Sequence, residues 1–331
     1  MPDKIIGVDI GGTKISMVLA KSNGKILRKK VIPTEATKPP KGTFDRVKKT
    51  IRGLMKDLGL KEKDIKGIGI GCVGPLDPKS GILHSTPNIP AWKNVHIKDE
   101  ISSEFDLPIV MDNDANAAAL GEKLFGAGRK VRNLFYYTIS TGIGGGLIID
   151  GRIYQGASFD AGEVGHTTVL PDGPMCPYCK KRGCLENLSS GTAIARIARE
   201  MVKKDGDSII LKLADNDVDN ITAPVVIEAV KKSDRTACAI WKDAVRYLGI
   251  SVANIIQTFN PEMIVIGGGV SKAGDLLFKP LRETAKKYSW ERCYKACSIV
   301  PAQLGDNVGD LGAVGLVAVR DKDSKLSRKV V

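Results

Sequence analysis

The chain has 331 residues, 43% of them hydrophobic and 36 of them glycine, enough for two lobes with separate cores. Its net charge of +13 suits an anionic ligand such as ATP, polyphosphate or nucleic acid, but the basic residues (Arg28-Lys29-Lys30, Lys48-Lys49, Lys180-Lys181-Arg182, Lys231-Lys232, Lys286-Lys287) are scattered, which favours a lysine-rich solvated surface. No stretch approaches the roughly 18 apolar residues of a membrane span, and Met1-Pro2-Asp3-Lys4 lacks the zones of a secretory signal, so a soluble cytoplasmic protein is expected whose seven cysteines form no disulfide framework.

Ile5-Ile6-Gly7-Val8 and Ile15-Ser16-Met17-Val18-Leu19 are short apolar runs separated by Gly11-Gly12, the pattern of a glycine-turned hairpin, and a third strand is expected after Lys25. Residues 44–58 place Phe44, Val47, Ile51, Leu54, Met55 and Leu58 at helical spacing, with Gly59 as a stop. A buried strand follows over 65–73, another over 108–111, and the alanine-rich 115–125 is a helix, so Asp112, Asn113 and Asp114 fall at a strand-to-helix junction. Residues 136–149 repeat strand, glycine turn, strand, which predicts two related lobes rather than a tandem array. Helices are expected over 192–203, 224–232 and 236–258, then a strand over 263–266 running into Gly267-Gly268-Gly269, a small-residue helix over 311–319, and a charged, frayed tail over 321–331.

Two glycines between strands let backbone N–H groups approach a phosphate, and Asp9-Ile10-Gly11-Gly12-Thr13-Lys14 adds a hydroxyl and an ammonium as donors. Alone, such a hairpin is an ordinary turn. Ser140-Thr141-Gly142-Ile143-Gly144-Gly145-Gly146 and Gly267-Gly268-Gly269 make three glycine loops, each ending a strand, while neither a GxxxxGK[ST] segment nor a GxGxxG opening a helix after the first strand is present.

The order Asp9–Lys14, Asn113-Asp114-Ala115-Asn116, Ser140–Gly146, Glu163-Val164-Gly165-His166 and Cys184-Leu185-Glu186 resembles the ROK family (repressors, uncharacterised reading frames and sugar kinases), and within it the glucokinases, over nearly the whole chain. The resemblance implies an α/β fold of the actin-like (ribonuclease H-like) kind, two lobes flanking a cleft. A small lobe over 1–113, completed by a C-terminal helix in 311–331, and a large lobe over 114–310 with a zinc-binding loop over 163–186 are expected. ATP is then held by Asp9, Gly11, Gly12, Thr13, Lys14, Thr141, Gly142, Gly144 and Gly145, with the adenosine side near Gly267, Gly268 and Gly269. One Mg²⁺ comes with the ATP, and Asp9 is the carboxylate nearest it.

Phosphoryl transfer to a sugar hydroxyl needs positioning, charge neutralisation and a proton acceptor. By the motif match Asp114 is that base; the residues alone leave open that Asp112, Asn113 or Asp114 caps the following helix. Asn88, Asn113, Glu163, His166 and Glu186 match the family's sugar contacts, acceptors and amides suited to a hexose.

His166, Cys176, Cys179 and Cys184 supply an imidazole and three thiols within twenty residues, a donor set for a closed tetrahedral zinc site of structural type. By resemblance the zinc pins the loop that carries Glu163 and Glu186. The family's usual Cys-x-Cys-Gly is here Cys176-Pro177-Tyr178-Cys179-Lys180, one residue longer and with lysine for glycine, which alters the loop and leaves the CxxC knuckle. Cys72, Cys238, Cys293 and Cys297 read as core or incidental thiols.

The expected activity is ATP-dependent phosphorylation of glucose to glucose 6-phosphate by a homo-oligomer, a dimer or tetramer, that engages no nucleic acid or membrane. The alternatives are another acceptor (mannose, fructose, N-acetylglucosamine or N-acetylmannosamine), polyphosphate as donor, and a sugar-responsive regulator; the last is disfavoured because a first glycine turn at residue 9 leaves no room before it for a DNA-binding domain.

Overall fold

The computed structural model describes residues 2–86, 88–203 and 208–319. The tail expected over 321–331, and with it the last part of the expected 311–331 segment, lies outside them. The chain divides into two compact units. The first takes Met1–Arg132, Gly146–Ala161 and the chain from Gln303 onward; the second takes Asn133–Gly145 and Gly162–Ala302.

In the first unit, β1 (Lys4–Ile10), β2 (Lys14–Lys21), β3 (Ile26–Pro33), β4 (Ile65–Cys72) and β5 (Ile109–Asn113) form one sheet in the order β3-β2-β1-β4-β5. The β1–β2 and β2–β3 pairs are antiparallel; β4 and β5 add in parallel. β1 reads as a nearly continuous apolar run because both faces of the sheet are covered. Ile6, Val8 and Ile10 join Phe44, Val47, Ile51 and Leu54 of the helix Pro40–Lys56, whereas Ile5 joins Val314 and Val317 of the C-terminal helix Val308–Ala318.

Glycines let that C-terminal helix come close. A Cβ at Gly7 would meet Asp310 O at 2.9 Å, one at Gly67 would meet Val317 Cγ1 at 3.2 Å, and one at Gly69 would fall 1.8 Å from Ala313 O. The neighbour at Gly69 is a backbone carbonyl of a helix and has no rotamer to give. Gly69→Ala is therefore expected to destabilise the protein by on the order of 3 kcal/mol, the upper part of the usual range for overpacking, read as a lowered urea midpoint at unchanged m-value.

The boundary expected at residue 113 differs from the division of the structure, in which the helix Asp114–Phe125 stays with the first unit. The reason is backbone contact between helices. A Cβ at Gly121 would lie 2.9 Å from Gly312 N, and one at Gly312 would lie 2.4 Å from Ala117 O. Glu122, wholly buried, accepts the N–H groups of Ala127, Gln303 and Leu304 at 2.8, 2.9 and 2.9 Å, so the segment entering the C-terminal helix is fastened to the same place.

The second unit has its own parallel trio, in which Met263–Gly267 pairs with Leu134–Ile139 on one side and Ser298–Pro301 on the other. From Leu134–Ile139 the chain turns through the second glycine loop into the strand Ile143–Ile149, which starts in this unit and ends in the first. Each unit therefore starts from strand, glycine turn, strand and extends the first strand by two parallel neighbours, the relation the repeated pattern predicts. The helix Arg235–Phe259 is the long element of the second unit. Asp234 caps it, accepting the Ala237 N–H at 2.7 Å, and Asn260 ends it in the left-handed conformation (φ 44°). Among the described residues, no helix is long and apolar enough to cross a membrane.

Candidate active site

In the first unit the candidate residues collect at the carboxyl ends of three parallel strands, the edge where open α/β sheets bind ligands. The register aligns Asp9 of β1 with Gly71 of β4 and Gly71 with Asp112 of β5. A Cβ at Gly71 would lie 3.8 Å from Asp9 Oδ1 and 3.9 Å from Asp114 Cα, so the two acids flank a position with no side chain.

Beside them the first glycine turn is held tight. Gly11 N–H donates to Lys14 O at 3.1 Å, and Thr34 Oγ1 donates to Gly11 O at 2.7 Å. A Cβ at Gly12 would lie 2.8 Å from Asn88 O, which brings the exposed Asn88 against the turn. Thr13 and Lys14 are exposed.

Asn113 caps the helix, its Oδ1 accepting the Ala115 N–H at 2.8 Å. Asp114, the first helical residue, also accepts that N–H through Oδ1 at 2.8 Å. Burial holds the Asp114 carboxyl above the ordinary carboxylate range, with the Ala115 hydrogen bond opposing. Behind it, the buried Asp112 accepts the Asn116 amide at 2.9 Å, the Gln155 amide at 2.8 Å and the Asn113 N–H at 2.7 Å, and its carboxyl too is raised by burial. Sequence reasoning does not find Gln155, which sits on the loop after the short strand Arg152–Ile153.

Asp9 is a third perturbed acid at this edge. Burial first, then the charges of Asp114 and Asp310, push it up to about 7 against the opposing pull of Lys14 and Lys29. Its carboxylate takes no hydrogen bond from the described residues. Gly309 leaves the room for it, since a Cβ there would lie 2.2 Å from Asp9 Oδ2. Asp310, 2% exposed, is paired with Lys29 at 2.5 Å through Oδ2, while its Oδ1 is buried without a partner.

In the second unit, the loop over 140–145 is closed by the Ser140 N–H on Gly142 O at 2.9 Å and tied to the helix Gly191–Val202 by the Gly191 N–H on Ser140 O at 2.8 Å. Glu186 Oε2 accepts the Ile143 N–H at 2.8 Å, and a Cβ at Gly142 would lie 2.5 Å from the same oxygen. Gly267 to Gly269 follow the strand Met263–Gly267 onto this loop. Gly268, at φ +87°, puts its α-carbon where a Cβ would lie 2.4 Å from Ile139 O, and a Cβ at Gly269 would be 3.8 Å from Ser140 Oγ. The second and third glycine loops are therefore neighbours.

Glu163 is exposed and precedes the single turn Val164–His166. Gly165 in that turn packs on the loop, its Cβ position 2.2 Å from Ile143 O and 3.4 Å from Glu186 Cβ.

The ligand atoms of His166, Cys176, Cys179 and Cys184 lie within 4.8 Å of one another, with Cys179 Sγ 3.2 Å from Cys184 Sγ and His166 Nδ1 4.0 Å from Cys176 Sγ. Three thiols and one imidazole gathered so closely fit a tetrahedral metal site, and His166 turns Nδ1 to the sulfurs. Burial and the Cys179 and Cys176 sulfurs push the Cys184 thiol up to about 12. The added residue in Cys176–Cys179 is absorbed by Lys180 at φ 57° and by exposure of Tyr178.

Comparison with known proteins agrees with this geometry. The ROK family description matches residues 5–320. A glucokinase of Thermotoga maritima is 38% identical over 96% of this chain and 98% of its own. A xylose repressor of Caldicellulosiruptor bescii is 34% identical over 95% of this chain and 77% of its own. The crystal structure of a ROK family glucokinase from Streptomyces griseus, in complex with glucose and AMPPNP, superposes with a TM-score of 0.80 at 33% identity, covering 95% of this chain and 98% of that one. The fold is accordingly the actin-like fold of the sugar kinases.

Proposed function

The chain belongs to the ROK family, and from that premise we propose that it is a glucokinase, transferring the γ-phosphoryl group of ATP to glucose to give glucose 6-phosphate. The observation that carries the reading is Asp114. It stands at the strand ends beside Asp9, Asn113 serves as the helix cap in its place, and burial raises its affinity for a proton toward the range useful to a base.

In the reaction the sugar hydroxyl oxygen bonds to the γ-phosphorus, its proton passes to Asp114, and the bond from that phosphorus to the ADP oxygen breaks. Asn88, Asn113, Glu163, Glu186 and His166, through its Nε2, orient the sugar. The turns at Asp9, Gly11, Gly12, Thr13 and Lys14 and at Thr141, Gly142, Gly144 and Gly145 hold the phosphates, with Gly267, Gly268 and Gly269 toward the adenosine.

Asp9 suits Mg²⁺, because a carboxylate without a hydrogen-bond donor and crowded by Asp114 and Asp310 gains from a divalent cation. Bound with ATP, the ion neutralises phosphate charge. His166, Cys176, Cys179 and Cys184 would hold Zn²⁺, a structural pin for the segment that carries Glu163 and Glu186. The protein works in the cytoplasm, where its free thiols persist, as a dimer or tetramer.

The test is a panel of glucose, mannose, fructose, N-acetylglucosamine and N-acetylmannosamine at fixed Mg-ATP, with polyphosphate as a second donor. Sugar-dependent ADP release, fastest with glucose, is expected. A panel with no turnover overturns the enzyme and favours the regulator reading suggested by the xylose repressor.

The raised Asp9 carboxyl gives a pH dependence. Its folded-state value of about 7 exceeds the ordinary 3.8, so the native state holds a proton that the unfolded chain releases. This contribution to stability is complete below the ordinary value, declines as pH rises and is lost once pH passes about 7. The urea midpoint of the ligand-free wild type should fall relative to Asp9→Asn between pH 4 and 7. Parallel curves would remove the assignment.

A further inference from the structure

Two of the segments assigned to the sugar grip one residue of the loop assigned to the phosphates. The Ile143 N–H is held by Glu186 Oε2 at 2.8 Å, and the Ile143 carbonyl lies against Gly165, two residues after Glu163. The fit at Gly142 is close: a methyl group there would lie 2.5 Å from the Glu186 oxygen, inside van der Waals contact.

We propose that Glu186 couples the two substrates: its carboxylate is shared between a sugar hydroxyl and the Ile143 N–H, so that sugar binding sets the loop for the triphosphate. The proposal rests on the sugar and nucleotide roles given above. A carboxylate accepting a backbone N–H makes a strong, directional bond, but it sits on a side chain with three rotatable torsions. A sugar hydroxyl donating to the same carboxylate fixes those torsions and with them the loop. It also offsets negative charge that otherwise stands beside the phosphate amides. Coupling of this kind is reciprocal, so nucleotide tightens sugar by the same factor.

The experiment measures AMPPNP binding with Mg²⁺, in the absence of sugar and at saturating glucose, by calorimetry. Wild type is expected to bind AMPPNP about fivefold or more tightly with glucose present, the low end of usual coupling factors. Gly142→Ala, whose methyl would crowd the Glu186 oxygen at 2.5 Å, sits in the phosphate loop and is expected to bind AMPPNP more weakly than wild type in both conditions, with a coupling factor near one. Should that variant not fold, the nearly isosteric Glu186→Gln, which lacks the charge, is expected to show a coupling factor well below that of wild type. Wild type that binds both ligands independently, or full coupling in a folded Gly142→Ala or in Glu186→Gln, overturns the proposal. Wild type that binds neither glucose nor AMPPNP overturns instead the kinase reading on which it rests.

Discussion

Asp114→Asn is expected to turn over at least about 10²-fold more slowly than wild type while still binding glucose and nucleotide, the usual scale for loss of a general base. The variant should fold. Asparagine keeps an oxygen for the Ala115 N–H, and the helix cap is Asn113, which is untouched. It also removes a carboxylate whose burial is unfavourable, so its thermal midpoint should equal or exceed that of wild type. The loss belongs in kcat, with KM for glucose little changed, because the missing group takes its proton only as the phosphoryl group moves. Wild-type kcat should rise with pH as the raised carboxyl ionises, and that acidic limb should vanish in the variant. A folded Asp114→Asn enzyme within a few-fold of wild-type rate would remove the base assignment.

The second large effect is at the thiol cluster. Cys184 is buried, 3.2 Å from Cys179 Sγ, and it directly precedes the helix Leu185–Ser189 that presents Glu186. The segment is also tied by backbone contacts, among them a bridge from Cys184 to Thr168, the Leu185 N–H on Thr167 O at 3.0 Å and the Val169 N–H on Gly183 O at 2.9 Å. An ion bound by the four ligands would add a constraint on where Glu186 stands. Purified wild type is expected to carry about one zinc per chain by elemental analysis, and Cys184→Ser to retain it at least about tenfold more weakly, since even the loss of an outer partner costs 10–100-fold. KM for glucose should rise with the loss of metal. Cys238→Ser, a half-buried thiol outside the cluster, serves as the control and should keep its zinc. Stoichiometric zinc in Cys184→Ser, or metal-free wild type, would contradict the assignment.

What could be read from the sequence was what short-range pattern encodes. The hairpin around Gly11-Gly12, the second turn before Ile143 and the helix found at Arg235–Phe259 all declare themselves by alternation, glycine placement or helical spacing within a few residues. The helix Asp275–Tyr288 gives a mixed signal because Pro280 lies inside it, and the four-residue strand Ser298–Pro301 is too short to show a period. The four zinc-type ligands were visible because they cluster within twenty residues.

The supports of the site were not visible, because their pairings are distant. Gln155 reaches Asp112 across 43 positions, and Lys29 reaches Asp310 across 281. No periodicity relates such residues. Gly309 is equally silent, since its role is to leave space for an aspartate 300 residues earlier in the chain, visible only once Asp9 is found against it. Whether Asn113 or Asp114 caps the helix also depended on geometry, as both residue types favour that position.

The contact of Gly121 with Gly312 bears on how the molecule is made. A ribosome delivers Asp114 and its helix early, yet the surface they rest on is translated only after the second unit has emerged. The amino-terminal third should therefore stay open and protease-sensitive during synthesis, while the intervening part has a parallel sheet and helices of its own with which to fold first. An enzyme of this build can switch on only when the helix Val308–Ala318 clears the exit tunnel, so nascent chains halted before that point should be inert.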